Sequence, residues 1–588
     1  MNKKNYPKIF LGEEICIKFS DPILIENQEG SVIEGLMLDE ARRQDDRWTL
    51  HGWCVGRSVF RFFENGGVIN FSIVHRSRPD VAGSLGLIEP LDGFGFVIEV
   101  PVCSENIQLE WWPKFIDRQI GRSFYTVDLN GSIEGASCIK KHSVLSKIPA
   151  KANLESASYI ENAGLVVLSG WAIGEHPSNL LVQTDDGDPV KITNAFCVYR
   201  QDVFDIFGKE FSDVSPLPGF VAYARISGQP KKVKLLQLTD DGEKSHRTLC
   251  EQDVKSKNGD PKAIFQALSG LFTPPSDLPK RYACIDVPVL DTVIQKDRDS
   301  WQYLPVQIQR FGQSVANPLV SMVVPLYGRT DFVEHQLMEF FRDSWLMENA
   351  EIIYVLDDPA LLDAFLVQSR NLYNLYQLPF TWVWGTVNRG FSGANNLGAS
   401  IAKGRHLLFL NSDVFPNAPG WLQTLVNTLE SSPYYGAVAP KLLHFDGSIQ
   451  HAGMAFEYRT DLGFYINHHP HMGLAPELDP HTRLAVVPAV TGACMLLRRE
   501  HFDLVGGWDT GYLIGDFEDS DLCLKLRDAG LQTIYEPRVN LTHLERQSFK
   551  LVGAGDFRAR VVAYNATRHQ MRWRDALQEL SAPNDNRH

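Results

Sequence analysis

Residues 407–416, LLFLNSDVFP, form an apolar run that ends on an ionisable carboxylate, Asp413. A carboxylate beside a core must be paired, hydrogen-bonded or bound to a metal, because an isolated buried charge is strongly unfavourable. No lysine or arginine is adjacent, and Arg405 lies a strand's length upstream. Hard divalent cations take carboxylate oxygen as a ligand, so this strand end is a candidate metal site.

Several other polar residues follow predicted strands in the same way. They are Pro325 and Tyr327 in VVPLYGR, Asp357 and Asp358 in VLDDP, Asn388 and Gly390 in NRGFSGANN, and Asn411 and Ser412 beside Asp413 in LNSD. In open α/β sheets, ligands bind outside the carboxyl ends of the strands. The pattern predicts one binding edge, with an ordinary solvated turn as the alternative for the two aspartates of DDP.

A later segment, GYLIGDFEDSDLCLKLRDAG, carries four carboxylates just before and inside the start of a predicted helix. The pattern predicts that this helix runs from near Ser520 to Ala529, with Gly530 as its stop. Asp519 would then be the N-cap, where the helix dipole favours the ionised form. Capping alone is one explanation of Asp519, but its doublet with Glu518, beside two further acids, exceeds what a cap requires.

The elements that must position these residues alternate from about residue 317 onward. Buried strands are predicted for LVSMVVPLY, EIIYVLDD, FTWVWG, RHLLFLNSD, YGAVAPKLL and LAVVPAVTGACMLLRR, and helices for DFVEHQLMEFFRDSWL, GFSGANNLGASIA and PGWLQTLVNTLESS. Such alternation indicates βαβ units and a mostly parallel sheet with helices on both faces.

Residues 317–550 resemble the inverting, GT-A-fold glycosyltransferases of family 2, in particular the rhamnosyltransferase-like members. The resemblance rests on the order of the motifs: P-x-Y, an aspartate pair, NRGFSGANN, a strand ending in N-x-D, TGA, GGWD, EDSDL and a late histidine. It implies an α/β, Rossmann-like GT-A catalytic domain. The N-terminal half lies outside it.

The resemblance implies that Asp413 ends the family's D-x-D motif and binds Mg²⁺ or Mn²⁺, which bridges the diphosphate of a nucleotide sugar and stabilises the departing diphosphate. Asn411 stands at the first position of the motif, so the site has one charge fewer, although Asn can still bond the ribose or a phosphate. His543 matches a late metal-binding histidine, and imidazole suits Mn²⁺ better than Mg²⁺. A loop histidine of no chemical consequence is the alternative.

The resemblance also assigns Asp519 as the catalytic base, which would take the proton from the acceptor hydroxyl as that oxygen attacks the anomeric carbon. The implied donor contacts are a base pocket at Pro325 and Tyr327, base and ribose contacts at Asp357 and Asp358, close backbone approach at Asn388 and Gly390, nucleotide-sugar contacts at Asn411, Ser412 and Asp413, and a floor beneath the sugar at Thr491 and Gly492. The implied acceptor contacts are Trp508, by stacking, and Asp509 and Glu518, by hydrogen bonds.

The N-terminal half contains a weak internal repeat. LHGWCVG at 50–56 matches LSGWAIG at 168–174, RPDV at 78–81 matches RQDV at 200–203, and GFGFVIEV from Gly93 matches PGFVAYAR from Pro218. Short alternating segments between Gly, Asp, Pro and Asn are typical of antiparallel β-sandwiches. Trp53 and Trp171 could stack on a sugar ring, but we expect them to be packing anchors.

The length gives a prior of about four domains at roughly 150 residues each. We predict an N-terminal extension at 1–29, β-sandwich-like repeats at 30–145 and 150–252, a connector at 253–315, the GT-A domain at 316–575 and a tail at 576–588.

The composition is that of a globular protein, with 44% hydrophobic and 22% charged residues. The net charge of −14 argues against a nucleic-acid partner, which usually meets a basic face. There is no run of 18 apolar residues and no apolar N-terminal segment, so neither a transmembrane helix nor a signal peptide is predicted. The nine cysteines lack metal-ligand spacing, which predicts reduced thiols in a cytoplasmic protein.

Together these features predict an inverting, metal-dependent glycosyltransferase. Its donor would be dTDP-rhamnose, a UDP-sugar or a GDP-sugar. Its acceptor would be a glycan or lipid-linked glycan of bacterial surface polysaccharide synthesis, of O-antigen or capsule type. Such an acceptor would be met at the inner membrane face, and the β repeats could position it or mediate oligomers.

Two alternatives to the glycosyltransferase are open. A nucleotidyltransferase can share a similar sheet and metal, but it would not need Asp519 opposite a sugar, and PLYGRT is not the basic Gly-rich loop it usually carries. A glycan-binding protein with a degenerate catalytic domain is the other, against which the presence of Asp413, Asp519 and His543 in one chain argues.

Overall fold

The computed structural model describes residues 149–544, except 186, 208–216, 239–245, 258–259 and 275–276, together with 555–581. Before residue 149 it describes the strands, with few of their side chains. The RPDV motif at 78–81 and residues 582–588 of the predicted tail lie outside the described residues.

The first repeat consists of antiparallel strands that pair into two sheets. Its described strands are β1 (Ile15–Lys18), β2 (Ile23–Glu26), β3 (Val32–Gln44), β4 (Arg47–Val55), β5 (Val59–Glu64), β6 (Gly67–Ile69), β7 (Ser72–Ser77), β8 (Gly93–Pro101), β9 (Asn106–Trp112), β10 (Arg122–Asn130) and β11 (Lys140–Val144). One sheet has the order β1-β3-β4-β8-β7, with β2 on β3, and the other has the order β11-β10-β9-β5-β6.

The second repeat also pairs into two sheets, of order β16-β17-β13-β12-β20 and β15-β14-β18-β19. Its elements are β12 (Lys151–Ile160), β13 (Leu165–Ile173), β14 (Leu181–Thr184), β15 (Val190–Lys191), β16 (Asn194–Val198), helix α1 (Gln201–Phe207), β17 (Gly219–Arg225), β18 (Lys232–Leu238), β19 (His246–Asp253) and β20 (Lys255–Lys257). The last strand extends this repeat beyond its predicted end at residue 252.

The strand pairing of the two repeats corresponds closely. The order β3-β4-β8-β7 of the first repeat matches β12-β13-β17-β16 of the second. Trp53 lies opposite Gly95 on β8, and Trp171 lies opposite Gly219 on β17. A β-bulge interrupts each of these strand pairs beside the glycine that precedes the Trp. It lies next to Gly52 in the β3–β4 pair and next to Gly170 in the β12–β13 pair. The strand register is therefore the same in the two copies of the internal repeat. The closure of both copies into β-sandwiches stays a prediction.

Both repeat tryptophans pack against the protein. Trp53 is 8% exposed. Trp171 is partly buried, and its ring centroid lies 5.2 Å from that of Phe207 on α1. These contacts fit the expected role of packing anchors.

The connector is mostly helical. It contains α2 (Pro261–Ser269), α3 (Leu278–Arg281), a π-helical turn (Tyr282–Asp286) and α4 (Val287–Trp301). The Asp260 side chain caps α2 by accepting a hydrogen bond from Ala263 N at 2.7 Å. The connector therefore begins with a regular capped helix.

The elements after the connector build one large sheet, a separate two-stranded sheet of β29 and β30, and the helices that pack on them. They are β21 (Gln307–Phe311), β22 (Val320–Leu326), α5 (Phe332–Phe341), α6 (Ser344–Asn349), β23 (Ala350–Leu356), α7 (Leu362–Tyr376), β24 (Phe380–Trp384), α8 (Gly390–Ile401), β25 (His406–Leu410), β26 (Val414–Pro416), α9 (Trp421–Glu430), β27 (Tyr435–Leu443), β28 (Ile449–His451), β29 (Ala455–Arg459), β30 (Phe464–His468), β31 (Ala485–Val487), β32 (Cys494–Arg498), α10 (Arg499–Leu504), α11 (Glu518–Asp528), β33 (Gln532–His543) and α12 (Gly555–Ser581).

The order of this sheet is β21-β24-β23-β22-β25-β32-β27-β33-β26. The strands β22 to β25 are parallel, as predicted. However, β32 runs antiparallel to β25 and β27, and β21 runs antiparallel to β24. The prediction of a mostly parallel sheet is therefore wrong, and the sheet is mixed. An apolar run predicts that a strand is buried but not which way it runs.

Helices cover both faces of the sheet, because successive residues of a strand point to opposite sides. On β22, Met322 packs in one core with Phe340 of α5 and Leu425 of α9. The next residue, Val323, packs in the other core with Ala394 of α8. The two cores hold the strand ends of β22 to β25 in fixed relative positions.

Several predicted boundaries move. β1 and β2 lie inside the predicted N-terminal extension, yet they pair with β3 of the first repeat. β21 lies inside the predicted connector, yet it pairs with β24 and belongs to the large sheet. At the other end, α12 continues to Ser581, beyond the predicted end at residue 575. Among the described residues, no helix is both long and apolar enough to cross a membrane.

One core is shared by the second repeat, the connector and the large domain. It includes Val167 of β13, Phe265 of α2, Leu290 of α4, Leu513 before α11 and Tyr564 of α12. The connector is therefore a packed element that joins the second repeat to the loop before α11.

Gly398 of α8 lies against the sheet, where an added Cβ would come within 2.3 Å of Val323 Cγ1 and 2.8 Å of Val355 Cγ2. In an open helix, Gly→Ala stabilises by about 1 kcal/mol, but overpacking a core costs about 1–3 kcal/mol. Gly398→Ala should therefore lower the melting temperature measured by calorimetry. Ser400→Ala, on the exposed face of the same helix, is the control. A melting temperature at or above wild type for Gly398→Ala would contradict this packing.

Candidate active site

The ends of β23 and β24 meet at Asp357. Its backbone N donates to Leu326 O at the end of β22 at 2.9 Å. Its Oδ1 accepts a hydrogen bond from Arg389 N at 2.7 Å, and its carbonyl accepts one from Asn388 Nδ2 at 2.7 Å. The structure thus brings together two of the predicted nucleotide-binding residues, Asp357 and Asn388.

The Asp357 carboxyl group is buried, with 4% exposure. Burial raises its pKa to about 8, against the opposing effect of the Arg389 and Gly390 backbone N–H groups. A ligand that donates an N–H to this carboxyl would favour the ionised form and lower the pKa. Asp357 is therefore a candidate acceptor for a polar edge of a ligand.

Asp358 has the contacts of a turn residue. Its two carboxylate oxygens accept hydrogen bonds from Gly328 N at 3.2 Å and Ala360 N at 2.9 Å. It therefore holds the loop that carries Tyr327, whose ring is 37% exposed. Burial and the nearby carboxylates raise the pKa of Tyr327. The solvated-turn alternative thus accounts for the Asp358 side chain.

The remaining residues of this edge leave space for a ligand. Gly390 has a φ of 68°, and no atom lies within 4 Å of the position a Cβ would occupy. Its N donates to the exposed Asn388 side chain at 3.1 Å. Pro325 is partly buried on β22 opposite Val355.

Asp413 and His543 converge because β26 pairs with β33. Val414 lies opposite His543 in that pair, and Asp413 Oδ1 is 3.3 Å from His543 Nε2. On the other side of the ring, His543 Nδ1 is 2.6 Å from Gln450 Oε1. The Gln450 amide nitrogen donates to the His543 carbonyl, so the amide oxygen is the atom that faces Nδ1.

This arrangement fits a divalent cation. If Nδ1 donates its proton to Gln450 Oε1, then Nε2 and Asp413 Oδ1 face each other as two acceptors, and they need a proton or a cation between them. A metal-binding histidine almost always donates its other N–H to a neighbouring group. Among the described residues, no group of three or more His, Cys, Asp or Glu side chains converges. Mg²⁺-type ions bind through one or two protein ligands plus water and phosphate.

The segment 491–493 lies between this pair and Asp519. Asn411 N donates to Ala493 O at 2.9 Å, and Gly492 N donates to Asp519 Oδ2 at 3.1 Å. An added Cβ at Gly492 would lie 3.0 Å from the Trp508 ring and 3.3 Å from Asp519 Cβ. Glycine thus permits this close approach.

Three predicted site residues lie around this segment, and two of them make hydrogen bonds within the protein. Asn411, Ser412 and Thr491 are partly buried. Thr491 Oγ1 accepts a hydrogen bond from Ala493 N at 3.2 Å, and Asn411 O accepts one from Gln336 Nε2 at 2.9 Å. These bonds shape the floor of the site.

Asp519 lies in the first turn of α11, not at its N-cap. The helix begins at Glu518, and Phe517 is the N-cap residue, without a side-chain cap bond. The capping prediction for Asp519 is therefore wrong, because the chain enters the helix from a left-handed residue. Burial raises the pKa of Asp519 to about 6, against the hydrogen bonds from Gly492 N and Ser520 N. The carboxylate is thus tuned toward accepting a proton near neutral pH.

Glu518 is 7% exposed. Burial, with the charges of Asp519 and Asp516, raises its pKa well above the usual value. Its Oε2 has no hydrogen-bond partner among the described residues. Burial beside Asp519 therefore favours the neutral form of Glu518.

The loop before α11 has an unusual backbone. Ile514, Asp516 and Phe517 have φ angles of 66°, 76° and 76°. For a non-glycine residue the left-handed region costs about 1–2 kcal/mol. Such conformations persist only where the surroundings determine them, and they cluster at functional sites. The sequence contains no glycine pattern that predicts them at these three positions.

Trp508 does not offer a face to an acceptor. It is 1% exposed, and its ring packs edge-on against Phe391 and Phe409, at 5.4 and 5.1 Å between centroids. The predicted stacking on an acceptor sugar is therefore wrong, because the indole belongs to the core beneath Gly492.

Asp509 is held by partners from α12. Its carboxylate lies 2.9 Å from Arg572 Nη1 and 3.3 Å from Arg568 Nη2, and it accepts a hydrogen bond from Gly511 N at 2.7 Å. Burial raises its pKa, but Arg568 and the Gly511 N–H outweigh this effect and hold it below the usual value. These contacts fit a structural ion pair, and the predicted acceptor contact stays a prediction.

A set of residues outside the predicted motifs also supports the site. Buried Asp521 accepts a hydrogen bond from Trp573 Nε1 at 2.7 Å and lies 3.1 Å from Arg572 Nη1. The set is Gln450, Asn565, Arg568, His569, Arg572 and Trp573. The only sequence signal was the i, i+4, i+8 spacing of the α12 members.

Residues 318–559 match the family described as "Glycosyltransferase like family 2". The O-antigen biosynthesis protein RfbC of Myxococcus xanthus is 30% identical over 246 residues, which is 39% of this chain and 18% of that protein. The N-acetylglucosaminyl-diphospho-decaprenol L-rhamnosyltransferase of Mycobacterium tuberculosis (strain CDC 1551 / Oshkosh) is 26% identical over 168 residues, 27% of this chain and 54% of that protein.

These matches confirm the resemblance of residues 318–559 to family 2. The matched stretch spans less than two thirds of either relative's own length. Among solved structures, GalNAc-T7 with UDP, GalNAc and Mn²⁺ aligns with a TM-score of 0.31 and 18% identity, covering 40% of this chain and 45% of that one.

Removing the charge of Asp509 should destabilise the fold. Asp509→Asn leaves Arg568 and Arg572 facing a neutral group, at a cost of roughly 2–3 kcal/mol once the exposure of Arg572 is allowed for. We expect a lower melting temperature, measured by calorimetry. Asp528→Asn, at the exposed end of α11, is the control. Equal melting temperatures for the two variants would show that the ion pair has no structural role.

Proposed function

We propose that this protein is an inverting, metal-dependent glycosyltransferase with a GT-A catalytic domain. It would move a sugar from a nucleotide-diphosphate sugar to a hydroxyl group of a glycan acceptor. The family match of residues 318–559 supports the class of reaction. The mixed α/β sheet, with carboxylates at the ends of β23 and β25, supports the assignment of the fold.

One observation carries the proposal: segment 491–493 contacts Asp519 and also Asn411, two residues before Asp413. Ala493 O accepts a hydrogen bond from Asn411 N, and Gly492 N donates to Asp519. A sugar resting on this segment would have the Asp413 strand end on one side and the Asp519 carboxylate on the other. Inversion needs this separation, because the attacking oxygen and the leaving diphosphate lie on opposite faces of the anomeric carbon.

Asp519 would act as the general base. Its carboxylate takes the proton from the acceptor hydroxyl while that oxygen forms a bond to the anomeric carbon. The bond from the anomeric carbon to the diphosphate oxygen breaks, and its electron pair leaves with the diphosphate. A pKa of about 6 keeps most of the carboxylate ionised at pH 7 while retaining basicity. Burial favours the neutral form of the neighbouring Glu518, and that form adds no charge repulsion.

Asp413 and His543 would hold the metal ion, with Gln450 fixing the orientation of the imidazole. A bound divalent cation supplies charge stabilisation for the departing diphosphate. Asn411 adds no charge to this site. The nucleotide would lie along Asp357, Asn388 and Gly390, where the backbone is open.

The substrate classes are proposals by analogy with the relatives. The names of RfbC and the rhamnosyltransferase support surface-polysaccharide synthesis, with dTDP-rhamnose as the first donor to test and UDP- or GDP-sugars next. A lipid-linked acceptor would bring this cytoplasmic enzyme to the inner membrane face. The β repeats would then hold a long acceptor or join copies of the chain.

Nucleotide binding should depend on metal and on Asp413. We would measure the melting temperature with UDP, dTDP, GDP and CMP, each with and without Mn²⁺. One nucleotide at 100 times its Kd should stabilise the protein by about 2.7 kcal/mol by mass action, only with Mn²⁺, and Asp413→Ala should abolish the shift. Gln450→Leu retains both ligands but should weaken Mn²⁺ binding by about 10- to 100-fold. No response to any nucleotide would refute the catalytic proposal.

Transfer should require the ionised form of Asp519. Asp519→Asn should lower kcat by about 10²- to 10⁴-fold and leave the nucleotide-induced melting shift unchanged. In the wild type, kcat/KM should rise with pH through about 6 and then level off, because only the deprotonated carboxylate accepts the proton. Asp528→Asn is the matched control on α11. An active Asp519→Asn variant, or a flat pH profile, would rule out this base.

A further inference from the structure

Asn565 of α12 makes four hydrogen bonds to the backbone of the loop that leads to α11. Its Oδ1 accepts a hydrogen bond from Leu513 N at 3.0 Å. Its Nδ2 donates to Leu513 O at 3.0 Å, Gly515 O at 2.7 Å and Asp516 O at 3.2 Å. Asn565 is fully buried, so these bonds replace the water that the loop backbone lacks.

The loop needs such a partner because of its conformation. Three residues of 514–517 are left-handed without being glycine, so the segment cannot form helix or strand bonds within itself. Buried carbonyl groups without a donor are unfavourable. A primary amide has an oxygen that accepts hydrogen bonds and two N–H groups that donate them, so one side chain can bond both N–H and C=O groups of the loop.

The residues on either side of the loop are anchored by the same helix. Leu513 packs with Tyr564 in the core shared with the connector. Phe517 packs with Ala566 in a second cluster. One turn further along α12, His569 Nε2 lies 3.1 Å from the hydroxyl of Ser520, the residue after Asp519. The α12 face that starts at Asn565 therefore follows the chain from Leu513 to Ser520.

We infer that Asn565 is a positioning residue that fixes the left-handed loop, and through it the direction of the Asp519 carboxylate. The effect of Asn565 on catalysis rests on the proposed function, whereas the effect of Asn565 on the loop does not. Asn565 touches no position assigned to the donor, the acceptor or the metal ion. It acts through the start of α11, where Asp519 meets Gly492.

The test uses two substitutions of similar size in the full chain. Asn565→Asp keeps one oxygen to accept from Leu513 N but loses the amide donors. Asn565→Leu removes both functions. Thr567→Val is the control, because Thr567 is buried on the same helix and, within the part of the chain that the structure describes, its Oγ1 bonds to Ala563 O of that helix alone. Hydrogen–deuterium exchange of the peptide covering 510–522 reports the loop without any substrate.

We expect both Asn565 variants to speed amide exchange in 510–522 by tenfold or more, while other peptides and the Thr567→Val variant exchange as in wild type. With the nucleotide and Mn²⁺ that stabilise the wild type, kcat should fall by about 10- to 100-fold. KM for the donor should stay near the wild-type value, and the lower limb of the pH profile should move.

Other outcomes overturn the inference. Unchanged exchange and kcat in Asn565→Asp and Asn565→Leu would show that the loop holds its shape without the amide. Loss of protection throughout the chain, with loss of the nucleotide response, would give Asn565 a purely structural role. If the wild-type protein binds no nucleotide, the proposed function is refuted. The exchange data then still decide whether Asn565 holds the loop.

Discussion

The site depends on one constraint: a carboxylate beside an apolar core needs a partner to replace water. Each acid of the site meets this need differently, and the partner decides its role. Asp357 has backbone N–H groups, Asp509 has two arginines, and Asp413 faces the imidazole of His543. The Asp519 carboxylate accepts hydrogen bonds from two backbone N–H groups, which favour its charge, whereas burial and a nearby acid disfavour that charge. Its pKa of about 6 suits a general base that works near neutral pH.

Much of this fold could be predicted because apolar runs and helical periods alternate clearly after residue 317. The parallel strands β22 to β25 and the helices α8 and α9 lie where the pattern predicts them. The direction of β32 could not be predicted, because an apolar strand has the same pattern in either direction. The break between α5 and α6 was also missed, because the Asp343 side chain caps a new helix inside one continuous periodic segment.

The positions of the candidate site residues followed from strand ends, but their roles depended on distant partners. Asp509 and Trp508 stand beside each other in a motif that resembles an acceptor site. Arg568 and Arg572 engage the first of them, and Phe391 and Phe409 bury the second. These partners lie between 59 and 117 residues away in sequence, and no local pattern predicts such contacts.

The N-terminal half bears on the chemistry through the core that it shares with the loop before α11. The core that holds Leu513 also contains Val167 of the second repeat and Leu290 of the connector. A strained loop keeps its shape only while its surroundings remain packed, and this loop leads directly to Asp519. A change in the packing of the second repeat would therefore reach the base through Leu513 over a few contacts. The repeat is thus part of the support of the site, whatever else its sheets bind.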